Sequence, residues 1–184
     1  GRAFVNVVAS NSAAGFQKAI LVAGRNTDDA YDPVWRATDY LGAQAYNTLR
    51  QLRYPKASIH YLNPQPGQDV DDNGLYDDIA GPTTGAGVNE AFTNWAGGAS
   101  NLFVYLVDHG ATNAGGGYMR LNPSEVLWAT NLSARLDALQ NAYAMDVTVV
   151  LDFCFAGSFV PALAYTGAAK RVVIAAAGED EPTF

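Results

Sequence analysis

Five short apolar runs, each closed by turn residues and separated by helical or polar stretches, constrain this chain more than any other feature. They cover residues 18–23, 58–62, 102–107, 147–151 and 171–177. Continuous aliphatic and β-branched runs of this length read as strands buried on both faces, the signature of a mainly parallel sheet. Between them apolar residues recur at helical spacing: Val34, Leu41, Ala45, Leu49 and Leu52 over residues 33–53, and Val88, Ala91 and Trp95 over residues 83–95. Strands alternating with amphipathic helices predict an α/β three-layer sandwich, a mainly parallel sheet flanked by helices. With 184 residues, 49% hydrophobic and 16% charged, the chain supplies one domain with one sizeable core.

Turn chemistry sets the expected boundaries. Asp32-Pro33 caps and starts the first helix, and Tyr54-Pro55 closes it. Gly97-Gly98 lies past the end of the second. Asn122-Pro123-Ser124-Glu125 reads as a helix start, with cap, proline and a glutamate at the third position, for a helical region running to about residue 142 and broken near Thr130-Asn131. Residues 111–117 read as a loop: Gly115-Gly116-Gly117 lacks the spacing of a phosphate cradle and forms a wall beside His109. Residues 1–17 are a lead-in strand or linker, and residues 18–184 the folded domain. The start at Gly1 reads as a piece of a longer protein with any export signal removed.

Chemistry concentrates at two strand ends. The run 102–107 leads into Asp108-His109-Gly110, and the run 147–151 leads through Asp152 to Cys154, the chain's one cysteine, and the small turn Ala156-Gly157-Ser158. Parallel strands joined by one crossover are neighbours whose carboxyl ends open into one crevice. A thiol with an ordinary pKa near ~8.5 is mostly protonated at neutral pH and needs an adjacent base to become a nucleophile. His109 supplies that base. The N–H groups of Gly110 and Cys154 can face a developing oxyanion. Taken singly, a cysteine is more often a small buried hydrophobe and a histidine after a strand a loop residue; the pairing of the two strand ends favours a Cys-His dyad.

Val22-Ala23-Gly24, Asp108-His109-Gly110 and Asp152-Phe153-Cys154-Phe155-Ala156-Gly157-Ser158 together resemble the legumain family of cysteine peptidases, relatives of caspases, metacaspases, clostripain and gingipains. The match runs in motif order from about residue 18 to residue 177. It implies a caspase-like fold, peptide or protein substrates, a thiol endopeptidase activity through Cys154, His109 and Gly110, and no metal in the catalytic step. It further implies that Asp152, two residues before the nucleophile, lines the specificity pocket, with Arg36 and Asp39 where the family's first helix contributes. Here the sequence departs from the legumain Arg-His pair, which leaves a basic or mixed preference open. Caspase-like domains carry a sixth strand; the five found here suggest truncation, a partner segment or a sequence that stops early.

Residues 68–80 break the βα pattern. Asp69, Asp71 and Asn73 place oxygens at the first, third and fifth positions of a loop whose sixth residue is Gly74. Leu75 offers a carbonyl and Asp77 a further carboxylate, which suits a hard cation such as Ca²⁺. Ala80 stands where an EF-hand carries its bidentate Glu, so the loop resembles instead the shorter Asp-rich calcium loops of exported bacterial proteins. Mutual repulsion of the carboxylates favours a structural calcium over a merely solvated turn. His60 has no second His or Cys nearby in sequence and reads as an edge or core residue.

The net charge of −7, with 11 basic residues scattered singly, makes nucleic acid and anionic membrane poor partners. No apolar run approaches the ~18 residues that span a bilayer. A lone cysteine forms no internal disulfide, and with the calcium-type loop this suits export to the periplasm, cell surface or medium. Two other classes compete with the peptidase: a catalytically silent, calcium-stabilised interaction domain, and an esterase using Ser158, which lacks the G-x-S-x-G elbow. Oligomeric state leaves no trace in the sequence.

Overall fold

The computed structural model describes residues 16–25, 27 and 32–183. The expected lead-in at residues 1–17 therefore lies outside the described residues, apart from Phe16 and Gln17. Five strands form one parallel sheet: β1 (Gln17–Ala23), β2 (Ile59–Leu62), β3 (Asn101–Val107), β7 (Asp146–Asp152) and β8 (Arg171–Ala175), in the order β2-β1-β3-β7-β8. All five coincide with the apolar runs of the sequence. Helix α1 (Pro33–Gln51) covers one face, where Tyr46 and Leu49 pack on Ala19, Leu21, Tyr61 and Tyr105. Helices α2 (Gly85–Glu90) and α3 (Ala129–Tyr143) cover the other, where Val88, Phe92, Leu132 and Leu136 meet Ile20, Val104, Val149 and Leu151. The α/β three-layer sandwich is thus present. No helix among the described residues is long and apolar enough to cross a membrane.

Local chemistry explains the helix starts. Asp32 accepts a hydrogen bond from the Val34 N–H, with Pro33 in the first turn, and the Thr84 hydroxyl accepts from the Gly87 N–H. Beyond Glu90 the second helix widens into a π turn, Ala91–Trp95. The Lys18 ammonium bonds the Trp95 and Gly97 carbonyls at that helix end and lies over the Trp95 ring.

Residues 110–128 differ from the sequence reading. In place of a loop and a helix start they form a three-stranded antiparallel sheet, β4 (Gly110–Asn113), β5 (Gly116–Asn122) and β6 (Glu125–Trp128). The Asn122 side chain does accept hydrogen bonds from the Ser124 and Glu125 N–H groups, as a helix cap would. Here that Asx turn reverses the chain, and Val126, Leu127 and Trp128 pair with Arg120, Met119 and Tyr118. The Glu125 carboxylate reaches across to the Gly85 N–H, capping α2 from outside the helix. Helix α3 begins at Ala129, next to the break expected at Thr130-Asn131.

Sheet order reverses beside β1. From β1 the chain moves outward to β2, then returns to place β3 on the other side of β1. That is a switch point, and the carboxyl ends of β1, β3 and β7 meet there under the β4–β6 sheet.

Candidate active site

Register sets the two expected catalytic residues at matching positions on neighbouring strands. Along β3 and β7 each residue pairs in parallel, ending with Val107 opposite Asp152. His109 and Cys154 therefore each lie two residues beyond the same paired position, on adjacent strands. Both are half-buried. A Cβ on Gly110 would fall 2.1 Å from the Cys154 carbonyl oxygen and 2.3 Å from the Phe153 ring, so only glycine lets the two strand ends approach this closely.

The turn that carries the thiol is held from several sides. Phe155 adopts a left-handed conformation (φ 59°, ψ 22°), which turns the chain directly after Cys154. The Ser158 hydroxyl donates to the Phe155 carbonyl at 2.6 Å and the Ser158 N–H to the same oxygen at 3.0 Å. Ser158, the nucleophile of the esterase alternative, thus serves the turn. Phe153 and Phe159 meet edge to face with centroids 5.0 Å apart, a contact worth about 0.5–1.5 kcal/mol beyond its buried area. Beyond β8 the chain returns over this turn, and Thr183 rests against the Cys154 sulfur.

Asp108 was not singled out from the sequence, although it belongs to the histidine motif. It is 7% exposed and faces the Gly24 backbone. Among the described residues neither carboxylate oxygen receives a hydrogen bond of good geometry, although the Thr38 hydroxyl and the His109 N–H lie near enough to favour ionisation. Burial outweighs them and, with the neighbouring Asp32 carboxylate, pushes the Asp108 pKa up to about 7 despite Arg120.

The expected specificity residues are dispersed. Asp152 closes β7 and accepts a hydrogen bond from the Tyr105 hydroxyl at 2.6 Å; burial first, then the Asp152 charge, raises the Tyr105 pKa. Asp39 is engaged at the end of β2, accepting from Asn63 at 2.9 Å and Gln68 at 3.0 Å. Three strand spacings, about 14 Å, separate the ends of β2 and β7. Arg36 is exposed on α1.

In the acidic loop, carboxylate oxygens of Asp69, Asp71 and Asp78 lie within 4.8 Å of one another. Asp78 takes the place expected of Asp77. Its buried side chain accepts from the Tyr46 hydroxyl (2.6 Å) and the Val70 N–H (2.7 Å), and pairs with Lys56 at 2.7 Å. Asp77 turns outward and also pairs with Lys56. Burial opposes the Lys56 charge, but its bonds to Asp77 and Asp78 prevail and its pKa is raised. Asn73 and Leu75 lie in the exposed tip: the Asn73 side chain accepts from the Leu75 N–H, and Asp69 accepts from Asn73 and Gly74. Among the described residues one oxygen of Asp71 is buried without a partner, so the donor set suits a hard cation beside the ammonium already present. A hollow of about 560 Å³ between Asn47, Arg50 and Asp71 adjoins this loop, well away from Cys154.

No curated protein matches the chain. A family model, that of the Peptidase C13 family, matches residues 55–184, a span that contains His109, Cys154 and four of the five strands. With the parallel sheet and its flanking helices, this match places the chain in the Peptidase C13 family, the legumain family of caspase-like cysteine peptidases.

Proposed function

We propose that the protein is a cysteine endopeptidase working through a Cys154–His109 dyad. The observation that supports this reading is the register of β3 and β7, in which residues 109 and 154 each follow the paired Val107 and Asp152 by two positions. The Cys154 thiolate attacks the scissile carbonyl carbon, and the Gly110 and Cys154 N–H groups receive the oxyanion. His109, protonated, gives its proton to the departing amine as the C–N bond breaks. The acyl-enzyme is then opened by water, whose proton His109 accepts; collapse frees the carboxylic product and restores the thiol. Asp152 reads a basic side chain on the amino side of the cut, its orientation fixed by Tyr105. Asp39 serves instead to tie α1 to the end of β2 through Asn63 and Gln68.

Calcium, where bound, is structural, held by Asp69, Asp71 and Asp78 with Asn73 and the Leu75 carbonyl at the loop tip. Its binding reads out as a rise in melting temperature on calcium addition, independent of turnover. An exported location accords with such a loop. The test of the activity is cleavage of a peptide library, varied at the residue before the cut, by wild type, Cys154→Ala and His109→Ala. Cleavage after Lys or Arg, lost in both variants, is the expected result. Persistent cleavage by Cys154→Ala refutes the dyad, and an inert wild type with a sluggish thiol favours the silent interaction domain.

A further inference from the structure

The segment following β8 returns to the nucleophile by a defined route. The Ala176 N–H continues the sheet pairing to the Leu151 carbonyl, and the Gly157 N–H donates to the Ala177 carbonyl, both at 2.9 Å. The segment turns at Gly178, whose N–H donates to the Glu181 carboxylate at 3.2 Å. The Glu181 carbonyl then accepts from the Phe155 N–H at 2.7 Å. A Cβ on Gly157 would fall 2.5 Å from the Glu179 nitrogen, so this approach also needs a glycine in the cysteine turn. The route ends with Thr183 at the sulfur: its N–H donates to Sγ at 3.4 Å, and its hydroxyl lies 3.4 Å from Sγ.

We propose that Thr183 activates the nucleophile, its hydroxyl and its N–H together holding Cys154 as the thiolate. This rests on the peptidase reading above and adds to it a residue that no motif marks. A thiol sulfur is a weak acceptor, whereas a thiolate accepts strongly, so two converging donors favour the charged form. The neutral thiol can give its S–H to the same hydroxyl at 3.4 Å or to the Thr183 carbonyl at 3.9 Å, but a thiol is a weak donor, and only the thiolate takes both the hydroxyl and the N–H as donors. The ionisable groups on the surrounding elements are Asp108 and His109 after β3, Arg120 on β5, Asp152 on β7, and Glu179, Asp180 and Glu181 on the returning segment. Most of these are acids that oppose a thiolate. Arg120 is the fixed cation among them, and the donors of Thr183 add to it at the sulfur itself.

The test is the rate of alkylation of Cys154 by iodoacetamide between pH 5 and 10, in the full chain and in Thr183→Val and Thr183→Ser, with circular dichroism to check folding. Valine keeps the shape and the N–H but removes the hydroxyl. Loss of one hydrogen bond to a charged acceptor predicts a rate about tenfold lower near pH 6.5, converging with wild type at high pH, while serine stays within about twofold. A Val profile that overlays wild type overturns the proposal. So does faster alkylation of the Val variant at every pH, which would make Thr183 a plug. Peptide cleavage measured in parallel separates the two readings: cleavage lost in Cys154→Ala with an unmoved Val profile removes only the role of Thr183. A shifted Val profile in a chain that cleaves nothing removes only the peptidase.

Discussion

Replacing Asp108 with Asn removes a buried carboxylate whose ionisation works against the native state. Its pKa stands near 7 in the fold against an ordinary 3.8. The native chain therefore keeps this proton over a range where the unfolded chain has released it, and stability falls as pH rises from about 4 to about 7, levelling off above. At 1.36 kcal/mol per pH unit the full displacement corresponds to about 4 kcal/mol, and relaxation around a buried charge brings the expected effect to about 2–4 kcal/mol. Asn keeps the shape and cannot ionise. Whatever its amide costs beside Gly24 and Thr38 is the same at every pH, so the slope isolates the carboxylate. Urea unfolding of both proteins at pH 4, 5, 6, 7 and 8 should show Asp108→Asn gaining on wild type by that amount between pH 4 and 7, then running parallel. A stability difference that stays flat across the range refutes a raised pKa for Asp108 in the fold.

Lys56→Met strips the fully buried Asp78 side chain of its ammonium partner. The expected cost is about 3–5 kcal/mol in urea unfolding without calcium, largely restored by millimolar calcium; a loss that calcium does not touch counts against an ion at Asp69, Asp71 and Asp78. Gly110→Ala drives a methyl into the Cys154 carbonyl oxygen. It should cost more than about 2 kcal/mol and lower kcat at least about tenfold, because separating the strand ends misplaces thiol and imidazole together. A variant with normal kcat would show that the close approach at Gly110 does not position the dyad.

The sheet was legible in the sequence because its strands carry continuous apolar runs, although only β1 and β3 are buried on both faces while β7 alternates and the edge strand β8 stays half-exposed. Cys154 and His109 were legible for a related reason: each directly follows such a run, and parallel pairing fixes their proximity without knowledge of any distant contact. The β4–β6 sheet was not. Its strands are short and half-exposed, and Asn122-Pro123-Ser124-Glu125 makes the same local hydrogen bonds whether a helix or a reversed strand follows. The choice is made by pairing with β5, which no local pattern encodes. In the acidic loop the competition between Asp77 and Asp78 is decided by Tyr46 on α1 and by Lys56, both far away in sequence. Thr183 meets the sulfur 29 residues beyond Cys154, through a turn built largely of backbone hydrogen bonds. No side-chain periodicity announces such a contact.

The Cys154–His109 dyad is tested most directly by mass spectrometry of the protein after exposure to a peptidyl acyloxymethyl ketone with lysine or arginine next to the ketone. Such a reagent labels a thiolate only when the peptide is seated against the catalytic machinery. One adduct per chain, on Cys154, should form in wild type and be lost or slowed at least about a hundredfold in His109→Ala. Labelling that proceeds equally well without His109, or no faster than that of free cysteine, would contradict the dyad.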